Sequence, residues 1–385
     1  MSVTAPAGFV AAGLHCGIKD TDAPDLSLVA TSDGQPVPAA GVFTQNVACA
    51  GPVRVSKEHL TTTNGRAAAV ILNSGNANCA TGTDVEVARE MCALTAKELG
   101  CAPDDVLVCS TGLIGIPLEL APLQRGIPAL VQARMADERA GQAAARAIMT
   151  TDTVSKQVVA PGEGWTIGGM SKGAAMLAPN MATMLAVLTT DAAVSPDALQ
   201  RMLGDAVAKS FNRIVVDGCT STNDTVVLLA NGVAGAPDHE AFAATLEEAC
   251  LSLAMQMVRD AEGHTKVVTV VVDEAATEDE AERAARKLAG SLLVKSSFYG
   301  SDPYWGRVLS ELGVANIAMD PETVTIAYDN VIVSKGLAPT GENASAVAAQ
   351  PEFTLTCTLG AGPHRYHVHT NDLTHAYIDE NMGTS

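Results

Sequence analysis

The residues from Lys172 to Leu185 read K-G-A-A-M-L-A-P-N-M-A-T-M-L, a run apolar enough to be buried that still carries Lys172, Asn180 and Thr183. Pro179-Asn180 predicts a turn, and the residues from Met184 on predict a strand. Thr183 can be read as one more β-branched strand residue. It can also be read as a nucleophile. A threonine hydroxyl is weak at its own pKa and needs a base beside it. Cleavage of the Ala182–Thr183 bond would supply one, because a freed α-amine has a reference pKa of about 7.7–8.0. Ala182 is small, which leaves its carbonyl open to attack by the Thr183 hydroxyl.

Other chemistries find less support. His364, His367 and His369 form H-x-x-H-x-H, and His367 and His369 would share one face of a strand. No nearby carboxylate or cysteine completes a ligand set, so an exposed polar strand face is expected and no metal. The nine cysteines include no C-x-x-C pair, which predicts small buried hydrophobes and neither zinc nor disulfides. Gly168 through Gly173 has the wrong order for a phosphate-binding loop.

Helices that must position these residues are marked by their ends. One spans 83–99, from Thr83-Asp84 to Gly100. Another opens at Ser195-Pro196, with serine as cap and proline at the first helical position. A third runs from Asp238 to about Arg259 with Phe242, Leu246, Cys250, Leu253 and Met257 on one stripe. Thr277 and Glu280 form a capping box for a fourth that ends near Gly290. Strands are expected at Ala67–Leu72, Val106–Cys109, Met184–Thr189, Ile214–Asp217, Thr225–Leu229, Lys266–Asp273, Thr323–Tyr328 and Phe353–Thr358. Strands and helices come in runs, which favours α+β layers over a doubly wound sheet. Segments dense in glycine, asparagine and hydroxyls separate them: 73–78, 110–112, 168–169 and 220–224. These read as turns, and they would suit a site that presents many neutral donors.

Composition bounds the partners. The chain has 385 residues, is 47% hydrophobic and carries a net charge of −19, so it should bury a sizeable core. That charge argues against nucleic acid and against an anionic membrane surface. The unbroken apolar runs are of strand length, and the N-terminus lacks a basic start and apolar signal core, so a cytoplasmic location is expected.

The block around Thr183 resembles the self-cleaving motif of the ornithine acetyltransferases, also called bifunctional glutamate N-acetyltransferases of arginine biosynthesis. The resemblance runs over nearly the whole chain. It includes Gly41-Val42-Phe43-Thr44, Asn73 through Asn78, Cys109 through Gly115, Ala147 through Thr153, Asp217 through Thr225, Asp260-Ala261-Glu262-Gly263, Gly300-Ser301-Asp302-Pro303 and Thr370 through Thr374.

The resemblance implies self-cleavage between Ala182 and Thr183 into an alpha chain, 1–182, and a beta chain, 183–385. Thr183 would then take acetyl from N-acetylornithine as an ester, release ornithine and pass the acetyl to glutamate. Thr111 and Gly112 would form the oxyanion hole. Thr150, Lys172, Thr183, Glu262, Asn381 and Ser385 would contact substrate, with Lys172 suited to the carboxylate and Glu262 to the ammonium. No cofactor or metal is implied, although acetyl-CoA is a candidate co-substrate. The implied fold is a layered αββα sandwich resembling N-terminal-nucleophile hydrolases with different connectivity. The implied assembly is a dimer of such heterodimers. An N-terminal-nucleophile aminopeptidase or amidase on the same scaffold is the alternative, and an unprocessed amino-acid binder a third. Three features depart from the family: Cys79-Ala80 is in reverse order, Tyr304 stands where asparagine is usual, and the short C-terminus lacks a tyrosine.

Overall fold

The computed structural model describes residues 2–176 and 184–383. The chain forms two compact units, one of Met1–Asn212 with Cys219–Met257, the other of Arg213–Gly218 with Val258–Ser385.

The first unit holds two sheets. One runs in the order Phe9–Leu14, Leu26–Thr31, Ala69–Asn76, Val106–Leu113, and its last pair is parallel. The other runs Arg66–Ala67, Val37–Phe43, Thr225–Gly235, Leu185–Ala192, Thr166–Lys172, Lys156–Pro161. Alternation along the strands explains the layering. Val70 and Leu72 point between the sheets, where they meet Val187, Val227 and Leu229. Ala69 and Ile71 point the other way, against Met91 and Ile127 of helices Asp84–Leu99 and Leu120–Gln132. Behind the second sheet lies helix His239–Val258, whose Phe242 ring stands 5.1 Å from that of Trp165. Helix, sheet, sheet and helix thus stack in this unit as an αββα sandwich.

In the second unit a mixed seven-stranded sheet is centred on His364–Asn371, Val267–Ala275 and Glu352–Thr358. Val268, Val270 and Val272 face one cluster with Leu288, Phe298 and Leu312 of helices Glu278–Ala289, Leu292–Tyr299 and Trp305–Gly313.

The end signals place the helices well. Gly100 sits left-handed at φ 78° after Leu99. Pro196 opens Pro196–Lys209, although the Ser195 side chain makes no cap bond. The Phe242–Met257 stripe is fully buried, in the one helix of the described residues long and apolar enough to cross a membrane. Thr277 accepts the Glu280 N–H at 3.2 Å, while the Glu280 carboxylate accepts from Ala318 instead of closing the capping box.

Three segments expected as turns belong partly to strands: Asn73–Asn76 ends one, Ser110–Gly112 another, and Gly168-Gly169 sits inside a third. Packing is the reason. A Cβ at Gly168 would lie 2.3 Å from the Ser2 carbonyl oxygen, so glycine here admits a neighbouring backbone. His367 and His369 do share a strand face, but they are half-buried, and Arg213 Nη1 lies 2.9 Å from His367 Nδ1. Of the cysteines, Cys79, Cys92, Cys109, Cys250 and Cys357 are buried, whereas Cys219 is exposed.

Candidate active site

Ala182, Thr183 and Ser385 lie outside the described residues. Around the gap, the structure builds a site from strand ends. Strand Thr166–Lys172 pairs antiparallel with Leu185–Ala192, so Lys172 stands opposite Leu185. On the other side of Leu185–Ala192 runs Thr225–Gly235, and the Thr225 N–H donates to the Met184 carbonyl at 3.1 Å.

Lys172 and Thr111 come together. Both are 2% exposed, and Lys172 Nζ lies 3.3 Å from Thr111 Oγ1. An ammonium can only donate, so the Thr111 oxygen accepts and its own hydrogen is left to donate elsewhere. Gly112 follows with φ 138°, and a Cβ there would fall 2.3 Å from the Gly75 carbonyl carbon. Only glycine fits where these two backbones close on each other. The result is a hydroxyl and a backbone N–H on adjacent residues beside a buried cation. That arrangement can stabilise a developing oxyanion.

Thr150 joins this group through Asp152. The Asp152 carboxylate accepts the Thr150 N–H at 3.0 Å, the Gly173 N–H at 2.7 Å and Lys156 Nζ at 2.6 Å. Burial alone would raise its pKa, but the charges of Lys172 and Lys156 and the Gly173 N–H outweigh burial and hold it at about 2. Thr150 itself lines an open cavity of about 610 Å³ with Lys19, Arg146 and Asp152.

Asp224 carries no expected role, yet it is fully buried and its Oδ1 accepts the Met184 N–H at 3.0 Å. Met184 nitrogen is bonded to the Thr183 carbonyl carbon, so Asp224 anchors the chain immediately after that residue. Burial drives its carboxyl well above the usual range, against the Met184 N–H, Ser221 and the Lys172 charge. The amides expected to serve as open donors are largely spent on backbone: Asn223 Nδ2 donates to the carbonyls of Ala77 and Ser110, and Asn78 Nδ2 to that of Asp84.

Glu262 and Asn381 belong to the second unit. Glu262 is 8% exposed, and Asn381 Nδ2 donates to its Oε2 at 2.7 Å. Tyr304 is 53% exposed, with its ring against Gly306 and Arg307. Among the described residues no cluster of three or more His, Cys, Asp and Glu could hold a metal ion.

No motif in the sequence marks Asp152 or Asp224, whose places in the site follow from burial and strand register.

The ArgJ family model matches residues 10–383. The arginine biosynthesis bifunctional protein ArgJ of Mycobacterium bovis is 45% identical over 395 residues, covering 100% of this chain and 96% of that protein. The protein of the same name from Streptomyces coelicolor is 44% identical, with 100% of each covered. Among solved structures, ornithine acetyltransferase complexed with ornithine, from Mycobacterium tuberculosis, is 44% identical over 46% of this chain and 94% of that one, with a TM-score of 0.44. The lengths matched and the level of identity leave one conclusion: the chain belongs to the ArgJ family.

Proposed function

We propose that this protein transfers acetyl from N-acetylornithine to glutamate through an ester on Thr183. The observation that carries the reading is the buried Lys172–Thr111 contact beside the Gly112 N–H. The Thr183 hydroxyl attacks the acetyl carbonyl and its proton passes to the α-amine of the same residue. The oxyanion takes hydrogen bonds from the Thr111 hydroxyl and the Gly112 N–H. Collapse expels the α-amine of ornithine, which leaves with the proton. The α-amine of glutamate then attacks the ester, and the same steps run in reverse. Lys172, Thr150, Glu262, Asn381 and Ser385 bind the substrates, with Lys172 taking the carboxylate and Glu262 the ammonium.

The nucleophile arises by cleavage between Ala182 and Thr183. The Thr183 hydroxyl adds to the Ala182 carbonyl, nitrogen leaves protonated, and water hydrolyses the ester. The two products, 1–182 and 183–385, stay joined, since Thr166–Lys172 and Leu185–Ala192 share a sheet. They assemble as a dimer of heterodimers in the cytoplasm. The word bifunctional in the relatives' name supports acetyl-CoA as a second acetyl source. No cofactor takes part.

Thr183→Ala tests the reading. Mass spectrometry of the unsubstituted protein should show two fragments, the second beginning Thr183-Met184-Leu185, and the variant a single uncleaved chain without transferase activity. A wild-type chain that stays whole, or ornithine release indifferent to glutamate, would sink it.

A further inference from the structure

Lys19 has no role in the acetyl-transfer reading, yet the structure builds a loop to hold it. Asp25 is fully buried, and its carboxylate accepts the successive N–H groups of Cys16, Gly17, Ile18 and Lys19 at 2.7 to 3.2 Å. Burial alone would raise the pKa of Asp25, but those N–H groups outweigh burial and lower it. The loop so fixed presses the stem of Lys19 on Gly75, where a Cβ would lie 2.8 Å from Lys19 Cγ. Gly75 in turn pairs with Gly112, against which its carbonyl closes. Lys19 is thus one residue removed from the N–H read as an oxyanion donor.

The head group has a donor to spare. Lys19 Nζ donates to the carbonyls of Pro24 and Met149 at 2.9 and 2.8 Å, and among the described residues it has no third acceptor. Lys266 provides the contrast. It spends all three donors, on the carbonyls of Phe298 and Ala348 and on Ser301 Oγ, each at 2.6 Å. Lys19 is half-buried and lines the open cavity that Thr150 also lines. Asp152, the one anion among the described lining residues, is taken up by Lys156 and by the N–H groups of Thr150 and Gly173. Burial lowers the pKa of Lys19 against the charge of Asp25, and Lys172 adds to the lowering, so the two ammonium groups lie within electrostatic reach of each other. All of these groups except Lys266 belong to the first unit.

Both halves of the acetyl-transfer reading place an anion near this donor. The reacting nitrogen of N-acetylornithine, and later of glutamate, sits on the carbon that bears the α-carboxylate. That carboxylate therefore stays close to the oxyanion donors whichever substrate is bound. It has two oxygens to satisfy, and Lys172 already spends a donor on Thr111. We propose that Lys19 is a further substrate-binding residue, its remaining N–H taking one α-carboxylate oxygen of N-acetylornithine and then of glutamate, beside Thr150.

The assignment rests on the acetyl-transfer reading, and the test separates the two. Lys19→Gln keeps N–H groups for the Pro24 and Met149 carbonyls and removes the charge. Acetyl transfer to the enzyme would be followed with N-acetylornithine and with its α-carboxamide, and transfer onward with glutamate and with its α-carboxamide. The carboxylate-to-carboxamide ratio of kcat/KM should fall roughly 10-fold in each half, as expected for a lost charge-assisted hydrogen bond. A lysine that only ties two carbonyls would slow acid and amide alike. A ratio unchanged in either half therefore overturns the assignment. Arg146→Gln removes an exposed cation from the same cavity and should leave both ratios nearly as they were; an equal fall there also overturns it. If Lys19→Gln does not fold or stays uncleaved, the unsubstituted enzyme serves. N-acetylglutamate should shield Lys19 from an amine-acylating reagent, read by peptide mass spectrometry, and its α-carboxamide should not. Equal labelling with both overturns the assignment. Unsubstituted enzyme that releases no ornithine overturns the transfer reading itself, and this assignment with it.

Discussion

In the first unit, Lys156 meets Asp152 at 2.6 Å with both side chains fully buried; in the second, Lys266 and Lys295 end on neutral oxygens. The difference is one of function as well as chemistry. Asp152 is a shared anion. It holds Lys156, orders Thr150 and Gly173 through their N–H groups, and offsets the charge of Lys172 beside Thr111. Asp152 thereby sets a negative charge near the buried Lys172–Thr111 contact. Among the described residues, the two buried lysines of the second unit, Lys266 and Lys295, have no such ion pair, and burial lowers the pKa of both. One is closed off by three acceptors, and the other borders a cavity.

The largest expected effect comes from breaking the shared anion. Asp152→Asn leaves Lys156 buried without its counter-charge, and the cost should be about 3–5 kcal/mol of stability, read by chemical denaturation. A loss below about 1 kcal/mol would mean that the two units bury lysine by the same means after all.

Removing the hydroxyl that Lys172 orients is the next step down. Thr111→Val should lower the acetyl-transfer rate by about 10²–10³. The thermal midpoint should shift little, because among the described residues the hydroxyl is bonded to Lys172 alone, at 3.3 Å. An equal loss of stability would make Thr111 a packing residue and blur the distinction between paired and unpaired cations.

Acid should separate the units by pH window. His367 and His369 lie in the second unit, where burial lowers both to about 4. Arg213 adds to the lowering at each. The unfolded chain binds those protons first, so stability should fall as pH drops from about 6.5 through 4. Asp152 is held at about 2 against a reference value of 3.8. Its contribution, about 2 kcal/mol, is complete above the reference value and lost as pH falls toward 2. Denaturation midpoints across that range should show two steps, the His-linked one first. His367→Gln should shrink the first step to the part that His369 contributes and leave the second unchanged.

Legibility in the sequence follows the same physical divide. Helix ends could be read because Gly100, Pro196 and Thr277 act on their own neighbours in the chain, although the Thr83 side chain makes no cap bond. Strands with a clear apolar period could be read for the same reason, although their ends could not. Asn73–Asn76 and Ser110–Gly112 look like loops, yet each pairs with the other in a parallel ladder whose partner is far away in sequence. Gly168-Gly169 looks like a turn and is a strand because Ser2 and Leu253 press on it from elsewhere in the unit.

The site divides likewise. Thr111, Gly112, Thr150, Lys172, Glu262 and Asn381 stood out through resemblance, and their local order along the chain is set by sequence alone. That Lys172 reaches Thr111, that Asp152 ties Thr150 to Lys156, and that Asp224 takes the Met184 N–H are matters of strand register and burial. How many hydrogen-bond partners Lys295 and Asn371 keep once buried is likewise carried by no local pattern. By itself the sequence determined the family, the helix ends, and the residue types available for acyl transfer, because these depend on identity and short-range spacing. Only the tertiary structure decided which charges are paired, which donors are spent and which strand ends meet, because desolvation and hydrogen-bond satisfaction are properties of neighbours brought from distant parts of the chain.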